Sequence, residues 1–330
     1  MYQPATYAAT LAFMVVSMLC WGSWANTVKL CPGYRFQLFY WDYVVGLALG
    51  ALFWGLTLGS AGPIGRPFLA AIAHSSAAAI GYALLGGVIF NVANLLLVAA
   101  IDIAGLAVAF PVGIGVALVV GAIASYLISP AGNRLLLFGG IAFVVAAIVF
   151  DAAAYRLRDA GSLAMSRRGV VISVVSGLLM GSFYPFVAKA MGAPGGSSGP
   201  YATAFFFVLG VAACAVPVNY LLMRRPLDGR EAVAMRGYWR APRSWHLWGV
   251  LGGAVWCTGA VLNFVASRTQ TVGPAVSYSI GQGATMISAC WGVFVWREFS
   301  RAPKRAKAFL AVMFVFFLVG LTAVALAPIF

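Results

Sequence analysis

Charge is scarce in this chain, and acid is scarcest of all. Seven Asp and Glu and 21 Lys and Arg are spread over 330 residues, so charged residues make up 8% of the sequence against 63% hydrophobic. A soluble domain is roughly a quarter charged and about half apolar, so water is not the main solvent here. Long polar stretches are missing too. The longest runs only from Arg224 to Ser244, which leaves no room for a globular domain between the apolar runs. There is no GxxxxGK[ST] loop, no HExxH and no paired carboxylates, which argues against a nucleotide-driven pump and against an enzyme. Cysteine is sparse and unpatterned. Cys20, Cys31, Cys214, Cys257 and Cys290 form no CxxC, and four of them fall inside apolar runs, where they read as small packing residues. His74 and His246 sit at run ends with no His, Cys or carboxylate at ligand spacing, so no metal and no cofactor is expected.

What the chain has in abundance is apolar runs of membrane-spanning length, about 20 residues each. They predict ten transmembrane helices near 6–30, 36–58, 74–101, 105–128, 135–153, 169–191, 201–223, 245–267, 272–296 and 308–329. The first run is longer than a signal-peptide core and lacks a cleavage site, so it reads as a true span. Between the third and fourth, only Asp102 and Gly105 mark a turn. Length requires a break there, because one uninterrupted helix would run about 80 Å.

The net charge of +14 does not read as a nucleic-acid surface, because the basic residues lie in short links. Of the 21 Lys and Arg, only Arg66, Arg134, Lys189 and Arg268 fall on one side of the expected membrane, and the other 17 fall on the opposite side. By the positive-inside rule the links after spans 1, 3, 5, 7 and 9 are cytoplasmic and both termini are extracytoplasmic, in a plasma or inner membrane. Tyr34, Tyr155, Trp239, Trp245, Trp248 and Trp296 fall at the expected cytoplasmic interface, where amphipathic rings are favoured.

The two halves repeat. Gly105-Leu-Ala-Val-Ala-Phe-Pro-Val-Gly-Ile-Gly115 aligns with Gly273-Pro-Ala-Val-Ser-Tyr-Ser-Ile-Gly-Gln-Gly283, Trp21-Gly-Ser-Trp24 with Met180-Gly-Ser-Phe183, and Leu85-Gly-Gly87 with Leu251-Gly-Gly253. The offsets are 168, 159 and 166 residues, in the same order along the chain. A duplicated five-helix unit explains this, with residues 1–153 as the first repeat, 154–168 as a basic cytoplasmic link and 169–330 as the second repeat. Five is odd, so the second copy enters the membrane inverted. The fold class is then all-α integral membrane, two inverted five-helix repeats, the geometry of carriers that alternate access to a central site. Recurring small-residue periodicity is the competing explanation, but it predicts no common order.

Glycine pairs Gly46/Gly50, Gly177/Gly181 and Gly249/Gly253 read as helix contacts. Polar and aromatic residues inside spans are the candidate substrate contacts: Trp21, Ser23, Trp24, Asn26 and Thr27 in span 1, and Asn91 and Asn94 in span 3. Phe110 with Pro111, Gly113 and Gly115 joins them from span 4, and Tyr278, Ser279 and Gln282 with Gly281 and Gly283 from span 9. Trp rings stack on flat or CH-rich surfaces and amides both donate and accept, which suits a planar heterocycle or a sugar. Interhelical hydrogen bonds and packing kinks are the competing uses. Asp42 is singled out as the carboxylate inside a span, about 10 Å along the helix from Arg35. It is the candidate proton-coupling residue, with an ion pair to Lys29 or Arg35 as the alternative.

Cys20-Trp-Gly-Ser-Trp-Ala-Asn-Thr27 and Phe36-Gln-Leu-Phe-Tyr-Trp-Asp-Tyr43 resemble the ureide permease family of the drug/metabolite transporter superfamily. The resemblance implies a proton-linked importer of allantoin, uracil, xanthine or similar oxo-heterocycles. The central link is shorter than the loop expected of plant members. A monosaccharide porter of the glucose/ribose type, or an exporter of drugs or metabolites, is the alternative. The expected partners are a small-molecule substrate, the lipid bilayer and protons, with the oligomeric state open.

Overall fold

The computed structural model describes residues 1–158, 166–193, 196–269 and 272–330, without the side chains of 106–108. All the regular secondary structure among the described residues is helical, with no strand. The helices are α1 (Tyr7–Ser23), α2 (Asn26–Lys29), α3 (Phe36–Leu56), α4 (Phe68–Ala73), α5 (Ala77–Ala104), α6 (Leu106–Ile128) and α7 (Arg134–Arg158). They continue as α8 (Arg167–Gly192), α9 (Gly199–Arg224), α10 (Arg236–Trp239), α11 (Arg243–Ser267), α12 (Pro274–Gly281), α13 (Ala284–Cys290), a π-helical turn at Trp291–Val295, and α14 (Lys304–Leu326).

Among the described residues, nine helices are long and apolar enough to cross a membrane, one of them being Tyr7–Lys29 counted across the α1/α2 break. The expected ninth span, 272–296, is present in pieces: α12, α13 and the π turn. The break falls at Gly281-Gln282-Gly283, where the Gly283 amide bonds the Ile280 carbonyl and the Thr285 amide bonds the Gln282 carbonyl. Two glycines flanking one residue remove the helix propensity that would carry the run through. Span 1 breaks as well. Asn26 Nδ2 donates to the Ser23 carbonyl at 3.0 Å and Thr27 Oγ1 to the Trp24 carbonyl at 2.7 Å, so side chains satisfy the carbonyls that the break frees.

The marginal split between spans 3 and 4 falls at Gly105, whose φ of +78° only glycine adopts freely. Side-chain caps from Thr6, Ser76 and Ser166 start α1, α5 and α8. α7 runs on to Arg158 where the expected span stops at 153, and part of the expected link, 159–165, lies outside the described residues. Asp102 stands on α5, which runs past the expected end at 101, and Asp151 stands on α7 within the expected span 135–153 itself, so Asp42 is not alone among carboxylates on spanning helices.

Packing follows the small residues. α3 crosses α11 and α5 crosses both α8 and α9, while α6 lies on α8 and α7 on α14. At the α3/α11 crossing a Cβ on Gly253 would stand 1.9 Å from the Tyr43 carbonyl oxygen, and one on Gly46 would stand 2.0 Å from that of Val250. Backbones therefore touch directly, as expected where lipid gives no hydrophobic reason for helices to associate. Gly177 and Gly181 make the equivalent contact with Gly113 and Ala117 of α6. Large apolar side chains such as Leu127, Leu135 and Val216 form the outer surface, facing where lipid belongs.

Candidate functional site

The breaks in spans 1 and 9 face one another across a cavity of about 120 Å³ in the middle of the bundle. Trp21 and Trp24 close one side, three residues apart and so on the same face of α1 and its C-terminal turn. Phe90 and Asn94 of α5, Phe110 of α6, Phe183 of α8 and Trp256 of α11 also line it, and Gln282, Thr285 and Ser288 complete the lining from the broken span 9. Trp256 is the centre of an aromatic stack. Its ring lies 4.3 Å from Phe90 and 5.7 Å from Trp21, and the Trp21 indole N–H donates to the Trp256 carbonyl at 3.2 Å. Gly259 and Gly281 leave the space that Trp21 occupies, since a Cβ on either would stand 2.7 or 2.6 Å from its ring.

Asn94 is 4% exposed, and its Nδ2 has no hydrogen-bond partner. A buried amide donor left unpaired costs about 1–3 kcal/mol, which a ligand carbonyl in the cavity would recover. Gln282, 8% exposed, stands in the same wall. The cavity therefore offers flat apolar faces and two amides that both donate and accept.

Of the residues singled out in the sequence, Trp21, Trp24, Asn94, Phe110 and Gln282 are in this wall. Four others lie outside it. Ser23 and Asn26 occupy the other face of span 1, where Ser23 Oγ accepts from Trp291 Nε1 at 2.9 Å and Asn26 Oδ1 from Trp296 Nε1 at 2.6 Å. Asn91 is rotated one residue from Phe90 and accepts the Tyr40 hydroxyl at 2.8 Å. Tyr278 is fully buried one turn before the break, its hydroxyl donating to the Ala117 carbonyl at 3.1 Å. These four hold helices together. The wall residues that sequence reasoning missed include Trp256, Phe90, Phe183, Thr285 and Ser288. Phe183 lay inside an aligned segment, and Trp256 stands at the 166-residue offset from Phe90, so the alignment of the two halves contained the signal.

Asp42 is buried away from this cavity, near the end of the bundle where most basic residues collect. Its carboxylate accepts the Tyr238 hydroxyl at 2.7 Å and faces His246 Nδ1 at 2.8 Å. Burial and the adjoining Asp42 push the Tyr238 hydroxyl up to about 12. The alternative partners go elsewhere: Lys29 pairs with Glu298 at 2.6 Å, and Arg35 lies 3.6 Å from Asp228. His246, without a carboxylate nearby in sequence, has one in space.

Beyond the cavity, α11 is tied at Asn263. Its Nδ2 donates to Ser17 Oγ at 3.3 Å and to the Ser277 carbonyl at 2.9 Å, and its Oδ1 accepts the Tyr184 hydroxyl. This knot joins four spans and separates the cavity from a larger hollow of about 450 Å³ at the opposite end, which includes Lys189, Ser267 and Arg268. Among the described residues no group of three or more His, Cys, Asp or Glu is placed to hold a metal.

The ureide permease family model matches residues 168–327 of the chain. Ureide permease 1 of Arabidopsis thaliana is 22% identical over an alignment covering 97% of both chains, and ureide permease 2 of the same plant is 21% identical over 96% of both. A solved crystal structure covers 94% of this chain and 96% of its own at a TM-score of 0.61 and 16% identity, a likeness that shows the fold alone. Sequence relationship along nearly the whole chain and a fold of membrane-crossing helices agree: the chain is similar to the ureide permeases, and the likeness supports a multi-pass membrane transporter.

Proposed function

We propose that the protein carries a small planar ureide or oxo-heterocycle across the membrane and binds it in the cavity between Trp21, Trp24 and Trp256. The unpaired Nδ2 of Asn94 carries this reading, because a buried amide donor on a residue of an aromatic-walled cavity suits a ring whose edge alternates carbonyl and N–H. Size supports it. The cavity of about 120 Å³ is far above the ~10–15 Å³ that one water needs and below the ~300 Å³ where drug-sized sites begin, which fits a single small ring. The names of the relatives point to the same substrate class. The monosaccharide and exporter alternatives are not favoured, since the family and both relatives are ureide permeases.

In this reading residues 1–153 and 169–330 are inverted repeats, and two observations support it. Cavity positions fall in pairs at the repeat offsets: Trp21 with Met180, Trp24 with Phe183, Phe90 with Trp256, and Ile114 with Gln282. Helix contacts are reciprocal too, since α3 packs on α11 as α9 does on α5, and α8 packs on α5 as α1 does on α11. The basic end is the cytoplasmic side and both termini are extracytoplasmic, so the Asn263 knot closes the outside. Ala25, exposed in the wall, opens the cavity toward the cytoplasm.

Asp42 remains the proposed proton-coupling residue. Its bonds to His246 and Tyr238 place a carboxylate, an imidazole and a phenol where a proton taken up changes the tie between α3 and α11. The test is uptake of labelled allantoin and uracil into proteoliposomes, with and without an inward proton gradient. Saturable uptake of either ring is expected. Flux of glucose with neither heterocycle would overturn the substrate reading. D42N should keep exchange of the ring but lose gradient-driven accumulation.

A further inference from the structure

α7 presents Asp151, Tyr155 and Arg158 four and three residues apart, on one helix face. Two of the three are committed to Glu298, which follows the π turn. Arg158 Nη1 donates to Glu298 Oε2 at 2.9 Å and the Tyr155 hydroxyl donates to the same oxygen at 3.4 Å, while Oε1 accepts from Lys29 Nζ at 2.6 Å. The backbone is unusual where it delivers this carboxylate. Arg297, at φ +52°, occupies the left-handed region that residues other than glycine rarely adopt. Gly292 leaves the room, since a Cβ there would stand 3.1 Å from the Tyr155 hydroxyl and 3.2 Å from Glu298 Oε2. The clasp joins α2, α7 and the segment after the π turn at the mouth of the cavity, because α2 follows directly on Ala25 and the π turn follows closely on Ser288, both wall residues.

Asp151 is outside the clasp. It is 4% exposed, and its Oδ1 has no hydrogen bond. The charged groups that act on it are Arg158 from its own helix and Glu298 from across the clasp. α14, packed against α7, brings Lys304, Arg305 and Lys307 at its first turn, of which Lys307 donates to the Ser300 carbonyl at 3.1 Å. α6, the other neighbour, carries Tyr126 as its one titratable residue, near its far end and bonded by Arg134. An ionised carboxylate with a buried, unpaired oxygen is far more costly than a neutral acid in the same place.

We propose that Asp151 is a proton-binding site that sets the Arg158–Glu298–Lys29 clasp at the basic mouth of the cavity. With its proton bound, Asp151 makes no claim on Arg158, and the guanidinium holds Glu298 as the structure shows. When the proton passes to water at the basic face, the new carboxylate stands two turns from Arg158 on the same helix face and draws the guanidinium from Glu298. Glu298 then keeps Lys29 and the long bond from the Tyr155 hydroxyl but loses its bond to the Arg158 guanidinium, and the mouth loosens. The effect on flux rests on the transport reading above, whereas the protonation of Asp151 does not.

The test is infrared difference spectroscopy of the reconstituted protein, without substrate, titrated from acid to alkaline pH. A protonated carboxyl band present at neutral pH in wild type and in D42N, and lost in D151N, is expected. Identical spectra for wild type and D151N would overturn the proposal. If D151N does not fold, E298Q reads the same group, since it removes the Glu298 charge that acts on Asp151 and competes with it for Arg158. The band should then disappear at a lower pH than in wild type, and an unmoved band would overturn the proposal. In exchange of labelled allantoin, D151N should flatten the pH profile, and a wild-type profile would count against the clasp. Failure of allantoin and uracil to move at all would remove the substrate reading and leave the infrared result standing.

Discussion

The Trp21 ring lies on the Trp256 ring with centroids 5.7 Å apart and planes 22° from parallel, and the Trp21 indole is bonded to the Trp256 backbone. The two residues come from different halves of the chain, 235 positions apart, yet form one floor for the cavity. Trp21→Phe keeps the stack and loses the hydrogen bond, so it should cost about 1 kcal/mol of stability and leave transport within a few-fold of wild type. Trp21→Ala removes the floor and should abolish saturable uptake. Normal uptake by the alanine variant would show that the ring does not face substrate.

Asn94→Leu separates binding from stability. The substitution removes an unpaired buried donor, so the melting temperature should hold or rise. The KM for the transported ring should rise on the order of tenfold, the loss of one hydrogen bond to ligand. A fall in stability with unchanged KM would make Asn94 structural.

Helix crossings give a sharper contrast. Gly253→Ala forces a methyl to within 1.9 Å of the Tyr43 carbonyl and should destabilise by about 1–3 kcal/mol, read as a lower melting temperature in detergent. Gly139→Ala, where nothing lies within 4 Å, should be neutral or gain up to about 1 kcal/mol of helix propensity. Equal effects at the two sites would mean that backbone contact does not set the α3/α11 crossing.

Asn263 should behave as a closure. The residue 166 positions earlier is Leu97, whose side chain has no hydrogen-bonding group to make such a knot. Asn263→Leu should increase, several-fold, the reaction of an introduced Ser267→Cys with a membrane-impermeant thiol reagent applied from the face opposite the basic end. Unchanged labelling would count against a gate there.

Glu298 sets an acid limit. Burial by itself raises its pKa, but the bonds and charges of Lys29 and Arg158 outweigh burial and hold the carboxyl below its ordinary 4.5. A folded-state value below the unfolded one means that the stabilisation is complete above about 4.5 and is lost as pH falls through the lowered value. Wild type should therefore lose more melting temperature than E298Q on acidification below that point. Parallel curves would assign acid sensitivity to other carboxylates.

The spans were legible because lipid solubility is a local property: each apolar run announces itself without reference to the rest of the chain. Even the doubtful turn at Gly105 followed from length, and the glycine pairs announced the crossings at Gly46 and Gly253. Part of the candidate site was legible on the same terms, since Trp21, Asn94 and Gln282 are polar or amphipathic residues inside apolar runs. What periodicity left open was which face each one occupies. Ser23 and Asn26 sit within two residues of Trp24 yet bond Trp291 and Trp296 on the other side.

By itself the sequence determined the solvent, the apolar runs that cross it and the small residues at which helices meet, because each depends on residue type and near neighbours along one chain. Only the tertiary structure decided who partners whom. Asp42 takes His246 from 204 residues away instead of Arg35, Lys29 takes Glu298, and Asp151 is left without a bond on one oxygen. Those choices are made where helices from distant parts of the chain cross. In a low-dielectric interior a buried polar group is costly until it finds a partner, and sequence spacing carries no information about which group comes within reach.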